Sequence, residues 1–515
     1  MTSLSDGGSA SVPFDPFSYL RLNAAGKDRL AIYDDGREIT FEELLRLVSA
    51  LIHLLRERDL GRGDVVAVAL PNVWQYVALE IAVPAADCVL LPLPLTLGRR
   101  EAAGALRRSG AKLLVTDDSP AAELLSAAAS ELEPRPEAIV VEELEAELEL
   151  DRGEPETSEP NPDRVVQIAL TSGTTGMPKL ASLTARLKQA TFEGFTTRLR
   201  LGPGDRVLPL SPVTQGAGEM CLYSLRTGAA LIMAHEPRFD AALALRLAEV
   251  ADATVLGAVP TMISRLLEAP ELASADLSRV RATLSAGSPL APSLARRWEE
   301  RTGSRVCNFY GAMDVGQLAV PDPEDPAEKR WATVGRPHDS AEVLICGPDG
   351  SGLPTGAEGE ICMRGVLVQE RYWNEGHGPF AADGWAHFGD LGFLDEDGYL
   401  HVTGRLKDTI IRGGTNINPY EVEDLLRECP GVKDVCVVGR PDADLGERSV
   451  AFAVPAADVE LNLEGIVGFL DREGLARYKW PESLELLDTL PVGSTGKIDR
   501  RSLRERLADK RGEPA

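Results

Sequence analysis

The sequence predicts an α/β protein. A large N-terminal part carries a mainly parallel sheet, a short antiparallel β section follows, and a compact α+β unit closes the chain. Three observations carry this reading. Apolar strand-like runs alternate with helix-like segments from residue 39 to 116 and again after 205, the rhythm of βαβ units. Near residue 335 the rhythm changes to short strands separated by Gly-rich turns. After residue 408 helices and strands alternate over about a hundred residues, a normal domain size. The chain has 515 residues, too many for one hydrophobic core.

Taken in order, residues 1–15 read as a loose polar tail. ITFEELLRLVSALIHLLRERDL (39–60) opens on a Thr start signal and has helical apolar periodicity. DVVAVAL (64–70) reads as a strand stopped by the turn pair Pro71-Asn72. Residues 73–84 read as helix, 88–93 as strand, 97–109 as helix and 112–116 as strand. Residues 130–163 are acidic and Pro-rich and read as an excursion. VVQIAL (165–170) is a buried strand. AEVLIC (341–346) and GEICMRG (359–365) read as antiparallel strands. NPYEVEDLLREC (418–429) reads as helix, 432–439 and 448–454 as strands, 462–475 as helix and 483–488 as strand, with a last helix near Ser502. GRLKDT (404–409) is the expected boundary, so the chain divides at 1–404, 405–409 and 410–515.

Charge and cysteine usage narrow the function. The formal net charge is −26, which disfavours general nucleic-acid binding. An anionic small molecule would need local positive charge. Seven scattered cysteines without a C-x-x-C argue for reduced thiols rather than a disulfide framework or a zinc site. The first residues lack the basic and apolar regions of a signal peptide. No apolar stretch is long enough for a bilayer span. A cytoplasmic protein is expected.

Four segments carry candidate chemistry. TSGTTGMPK (171–179) follows a buried strand. Small residues let backbone N–H groups approach an anion, hydroxyls add donors and Lys179 adds charge. It is not a Walker A loop, and on its own such a loop is more often a plain polar turn. NFYGAMDVG (308–316) offers Tyr310 to stack on a flat ring and Asp314 to hold a metal, or an ordinary aromatic-Gly turn. In GWAHFGDLGFLDEDGYLHVTGRLKD (384–408), Asp390 lies between glycines where a carboxylate could accept from ribose hydroxyls. DEDG (395–398) reads as a hairpin turn. Arg405 and Lys407 could be a solvated hinge or could reach phosphate. LPVGSTGKIDRRSL (490–503) places Lys497 in a Gly-rich turn, ordinarily a surface position.

Together, in order and spacing, these segments resemble the adenylate-forming superfamily of acyl-CoA synthetases, carrier-protein-loading adenylation domains and beetle luciferases. The resemblance covers about residues 20–507. It implies a large N-terminal domain of doubly wound sheets with a small antiparallel β subdomain, and a small mobile α+β C-terminal domain. It implies ATP, Mg²⁺ and CoA (or a carrier-protein phosphopantetheine) as cofactors, and AMP-forming activation of a carboxylic acid. Thr171, Ser172, Gly173, Thr174, Thr175, Gly176 and Lys179 would form the phosphate loop. Gly287, Ser288, Tyr310 and Gly311 would hold adenine, and Asp390 and Arg405 the ribose. Thr175 and Asp314 would hold Mg²⁺. Lys497 would be the adenylation lysine and Lys407 the pivot of domain rotation. Gly413 and Gly414 would approach the acceptor.

The sequence departs from the family pattern at several places. Met313 stands where a hydroxyl is usual, and Asp314 is one methylene shorter than the usual Glu. Leu180 replaces a common Gly, and Gln215 aligns with a frequent His. The substrate pocket is expected around 213–219, 285–290 and 310–317, including Gln215, Gly216, Met313 and Gly316. The nearest flavour is a free-standing aryl, cyclic or medium-chain acid–CoA ligase. Transfer to a carrier protein is the close alternative. Nitrite activation for diazotisation of an arylamine in secondary metabolism is the more distant one, and an inactive nucleotide-binding paralogue is the non-enzyme reading.

Overall fold

The structure, a computed structural model, describes residues 15–509 except 27, 149–151, 172–178, 215, 236–238, 313–314, 376, 443, 458 and 493–497. Two large sheets dominate the first 310 residues. One has six strands in the spatial order 137–140, 111–116, 65–69, 89–92, 165–171, 179–184. The other has seven, in the order 305–308, 282–285, 255–258, 206–209, 230–233, 30–34, 37–40. Neighbours run parallel in both except at one edge of each, where 165–171 pairs antiparallel with 179–184 and 30–34 with 37–40.

Each sheet is covered on both faces, as the alternation requires. Helices Phe41–Glu57 and Trp74–Ala85 share a core with Val66, Val68 and Leu90 of one sheet and Val207 and Leu231 of the other. The outer face of the six-stranded sheet (Ala67, Leu91, Leu114) packs on helices 99–109 and 120–130, and that of the seven-stranded sheet (Leu208, Ile232, Leu256) on helices 241–250 and 292–302. Helix Phe41–Glu57 starts where its Thr predicts, because the Thr40 hydroxyl accepts the Glu43 N–H at 3.1 Å.

One expectation needs correction. The acidic excursion 130–163 contains strand Glu137–Val140 and helix Val141–Leu148. The short run EAIV finds the free edge of strand Ala111–Thr116, and Leu144 and Leu148 dock on the core. The large sheets are mainly parallel, as expected, and edge strand Lys179–Thr184 is the antiparallel partner of Val165–Thr171.

Strands 341–346, 359–365, 386–394 and 400–405 form an antiparallel sheet. Strands 310–312, 315–320 and 336–337 form a small antiparallel sheet beside helix Ala185–Arg198. From Ile410 onward a separate five-stranded sheet carries helices Pro419–Arg427, Leu463–Arg472 and Arg500–Asp509. Its core includes Val422, Val437, Ala451 and Leu470. None of the described helices is long and apolar enough to cross a membrane.

Candidate active site

In a parallel sheet, ligands gather beyond the carboxyl ends of the strands. That edge of the seven-stranded sheet collects several expected residues. Gly216 opens the short helix after strand Arg206–Pro209. Gly287 and Ser288 follow strand Ala282–Ser285, and Tyr310 follows the adjacent strand Arg305–Asn308. Gly287 has φ +90°, a left-handed backbone that favours glycine. Gly311 and Gly316 serve close packing: a Cβ on Gly316 would lie 2.2 Å from Thr191 Oγ1, and one on Gly311 2.8 Å from the Gly316 carbonyl.

The structure brings Tyr310, Asp390 and Arg405 together. Asp390 and Arg405 face one another in register on adjacent antiparallel strands. Arg405 Nε lies 2.6 Å from Asp390 Oδ1, and the Tyr310 hydroxyl donates to Oδ2 at 2.6 Å. Asp390 is buried, whereas Arg405 is partly open to solvent. Burial acts to lower the Arg405 pKa, but Asp390 foremost, then Tyr420 and Tyr310, outweigh it and hold the guanidinium above its ordinary value.

Thr171 and Lys179 pair across the base of the hairpin. Lys179 is exposed, with Nζ 4.6 Å from the centre of the Tyr372 ring. Residues Ser172, Gly173, Thr174, Thr175 and Gly176 lie outside the described residues, as do Gln215, Met313, Asp314 and Lys497. Leu180, where the resemblance has Gly, is fully buried among Leu91, Ala102 and Ile168. It is a core residue of the six-stranded sheet. Gly413 and Gly414, at φ +57° and +81°, make the two-residue turn between strands 410–412 and 415–417.

Sequence reasoning missed two groups. The first is a buried ion cluster at the base of the loops. Lys188 Nζ donates to Gln167 Oε1 at 2.6 Å and to Glu219 Oε1 at 3.1 Å, with Glu80 at 3.7 Å. Burial works against its charge, but Tyr223, Glu219 and Glu80 keep its pKa above the ordinary lysine value. The second is the clamp on Asp408. Arg504 reaches Oδ1 at 2.9 Å, the Tyr420 hydroxyl donates to Oδ2 at 2.9 Å, and Arg500 stands 4.0 Å away. Burial pushes this carboxyl up, but Arg500, Arg504 and Tyr420 more than reverse it. Lys407 is exposed between the two anchors, Arg405 held by Asp390 and Asp408 held by residues of the C-terminal unit. Asp-Arg-Arg after Lys497 was the available signal for this clamp.

Several side-chain oxygens near the same strand ends are buried without a partner among the described residues: those of Ser211, Thr214, Ser285, Asn308 and Gln317. Buried polar groups are normally satisfied, so this cluster marks a place where a polar ligand or solvent completes the bonding.

Comparison with known proteins agrees with this geometry. A family model described as AMP-binding enzyme matches residues 21–373, and the AMP-binding enzyme C-terminal domain matches 421–497. A feruloyl-CoA synthase of Amycolatopsis sp is 35% identical over 482 residues, covering 93% of this chain and 96% of that one. A medium-chain fatty-acid–CoA ligase of Escherichia coli (strain K12) is 30% identical, covering 93% and 88%. The crystal structure of ATP-bound MatB from Rhodopseudomonas palustris superposes with a TM-score of 0.87 at 28% identity, covering 97% of this chain and all of that one.

Proposed function

The chain belongs to the AMP-binding enzyme family, and on that premise we propose that it activates an aryl, cyclic or medium-chain carboxylic acid as its acyl-adenylate and passes the acyl group to CoA. It is an AMP-forming acid–thiol ligase, and the reaction uses ATP, Mg²⁺ and CoA. The observation that carries the reading is the Tyr310–Asp390–Arg405 constellation at the carboxyl edge of the seven-stranded sheet. A buried carboxylate, held by a cation and a phenol, is preorganised to accept ribose hydroxyls. Among the acid classes, the aryl one is favoured by the feruloyl-CoA synthase relative and by the buried oxygens that a polar aryl substrate could meet.

The chemistry follows from charge. A substrate carboxylate attacks the α-phosphate of ATP, anion against anion, and negative charge builds on the phosphoryl oxygens and departing pyrophosphate. Thr171 and Lys179 frame the hairpin that would receive the phosphates, and Lys497 would place its ammonium on the α-phosphate side. Mg²⁺ supplies charge neutralisation on the triphosphate. A carboxylate and a hydroxyl, Asp314 and Thr175, suit this hard ion and would hold it. The acyl carbon must then be opened to the thiol, so Lys497 must withdraw. We assign that motion to rotation of residues 410–515 about Lys407, relative to residues 1–404.

The test is pyrophosphate release across a panel of aryl, alicyclic and fatty acids, with and without CoA. Acid-dependent release and CoA-dependent acyl-CoA formation are expected. Arms with holo carrier protein replacing CoA, and with nitrite plus an arylamine, would replace this reading if they alone turned over. Lys497→Ala should abolish substrate-dependent pyrophosphate exchange while largely sparing thiol attack on a supplied acyl-adenylate. Equal loss of both steps would refute the role.

A further inference from the structure

A second cluster lies in the antiparallel sheet behind Asp390, on the face turned away from its core. Register brings it together: Cys346 pairs with Glu360, and Cys362 with His387. Side chains alternate along a strand. Ile345, Ile361, Met363 and Ala386 therefore fill the apolar core on one face. Cys346, Glu360, Cys362 and His387 share the other. His387 Nδ1 is 2.8 Å from Glu360 Oε2 and 3.4 Å from Cys362 Sγ, and the three donor atoms lie within 4.8 Å of one another. The other ring nitrogen, Nε2, faces Asp383 Oδ2 at 3.1 Å.

We propose that Glu360, Cys362 and His387 form a binding site for a thiophilic divalent cation of the Zn²⁺ class. The donor set mixes thiolate, imidazole and carboxylate, as zinc sites do. The Asp383–His387 contact is the orienting hydrogen bond expected of a metal-bound imidazole: it keeps a proton on Nε2, while Nδ1, which donates to Glu360 in the empty site, gives up its proton to expose a lone pair to the ion. A tetrahedral ion about 2.0–2.3 Å from each donor would spread the donors to about 3.3–3.8 Å. The 3.4 Å His387–Cys362 separation already lies in that range, and the 2.8 Å His387–Glu360 contact would open by an outward turn of the half-buried Glu360. Burial, and then the adjacent Cys346 thiol, push the Cys362 thiol well up, so the apo site holds a neutral S–H. Metal binding would form the S–M and Nδ1–M bonds and release the thiol proton and the Nδ1 proton to solvent.

The site would act on the nucleotide carboxylate through the backbone. Glu360 Oε1 accepts the Gly389 N–H at 3.1 Å, one residue before Asp390. An ion held by Oε2 therefore pins the strand that carries Asp390. The role is structural and independent of the acid that the enzyme activates.

The test uses full-length, tag-free protein, stripped with chelator and titrated with Co²⁺ without nucleotide. About one equivalent should bind, with d–d bands of a tetrahedral ion and a near-ultraviolet thiolate-to-cobalt charge-transfer band, and Zn²⁺ should displace it. Cys362→Ser should remove the charge-transfer band, Cys346→Ser should retain it, and His387→Gln should weaken binding at least about 100-fold. Asp383→Asn should weaken it about 10-fold. Absence of the charge-transfer band in the unaltered chain would overturn the proposal, whatever the folding of the variants. So would a thiol count two below seven before reduction, with Cys346 and Cys362 joined as a disulfide.

Discussion

Asp390 is the residue on which the candidate site turns, and its two oxygens do different work. Oδ1 takes the Arg405 ion pair and Oδ2 the Tyr310 hydroxyl. A hydrogen bond to a charged group contributes about 1.5–3 kcal/mol. Tyr310→Phe should therefore lower kcat/KM for ATP about 10- to 100-fold, with little change in Tm. Unchanged ATP kinetics would separate Tyr310 from the nucleotide. Leu180 is the contrasting case. It departs from the family pattern beside the 172–178 segment, yet its side chain is fully buried in the six-stranded sheet's core. Leu180→Ala should cost about 2–5 kcal/mol of stability and leave the order of preference among acids unchanged. A reordered acid panel with unaltered urea stability would make Leu180 a specificity residue instead.

At the scale of elements, Lys188 ties together the pieces that present the loops. It sits on helix Ala185–Arg198, Gln167 on the strand entering the 172–178 segment, and Glu219 on the helix following Gln215. Losing one partner of a buried ion cluster leaves the others uncompensated, at about 3–5 kcal/mol. Lys188→Met should lower urea stability by that amount, and adding Glu219→Gln should recover a large part. An unchanged urea midpoint in Lys188→Met would refute the stabilising role assigned to this cluster. None of this cluster is legible from the sequence, because its members lie far apart in the chain and each alone is an ordinary helix or strand residue. The elements themselves were more legible. Thr40 announces its helix, and the apolar runs 64–70, 88–93 and 112–116 became central strands, buried on both faces. The hairpin at 30–40 escaped despite Asp35-Gly36, whose positive φ values of 47° and 85° make the turn that this pair favours. Strand Glu137–Val140 escaped because its acidic, Pro-rich surroundings outweighed four residues of β pattern. Of the candidate site, Tyr310, Asp390 and Arg405 were readable through motif spacing. The Asp408 clamp was not, since two of its three partners, Arg500 and Arg504, reach it only through the docking of the last helix.

The whole molecule is organised around a short connection gripped on both sides. Arg405 is bound to Asp390 on one side, and Asp408 to Tyr420, Arg500 and Arg504 on the other. Between them Leu406 and Lys407 are exposed, in a single 3₁₀ turn closed by the Thr409 N–H on the Leu406 carbonyl at 3.3 Å. Rigid anchors flanking two free residues concentrate any rotation at Leu406–Lys407 rather than spreading it along the chain. Other bonds across the junction must then break: Asn418 Nδ2 donates to the Thr403 carbonyl at 2.8 Å, and Lys433 pairs with Glu268 at 3.2 Å. Both are single polar contacts that water can replace at little cost. Lys407→Pro tests this arrangement. Proline fixes φ at about −65° at residue 407, leaves the closing Thr409 N–H bond intact and biases Leu406 toward extended backbone, so it narrows the backbone states open to the pivot. The variant should retain one half-reaction within about 3-fold and lose the other by about 100-fold or more, some 2.7 kcal/mol in barrier. Pyrophosphate exchange and thiol capture of supplied acyl-adenylate, measured separately, read the two steps. If both survive, the rotation does not pass through Lys407. If both fall equally, the substitution has damaged the shared site, and the pivot belongs elsewhere in 405–409.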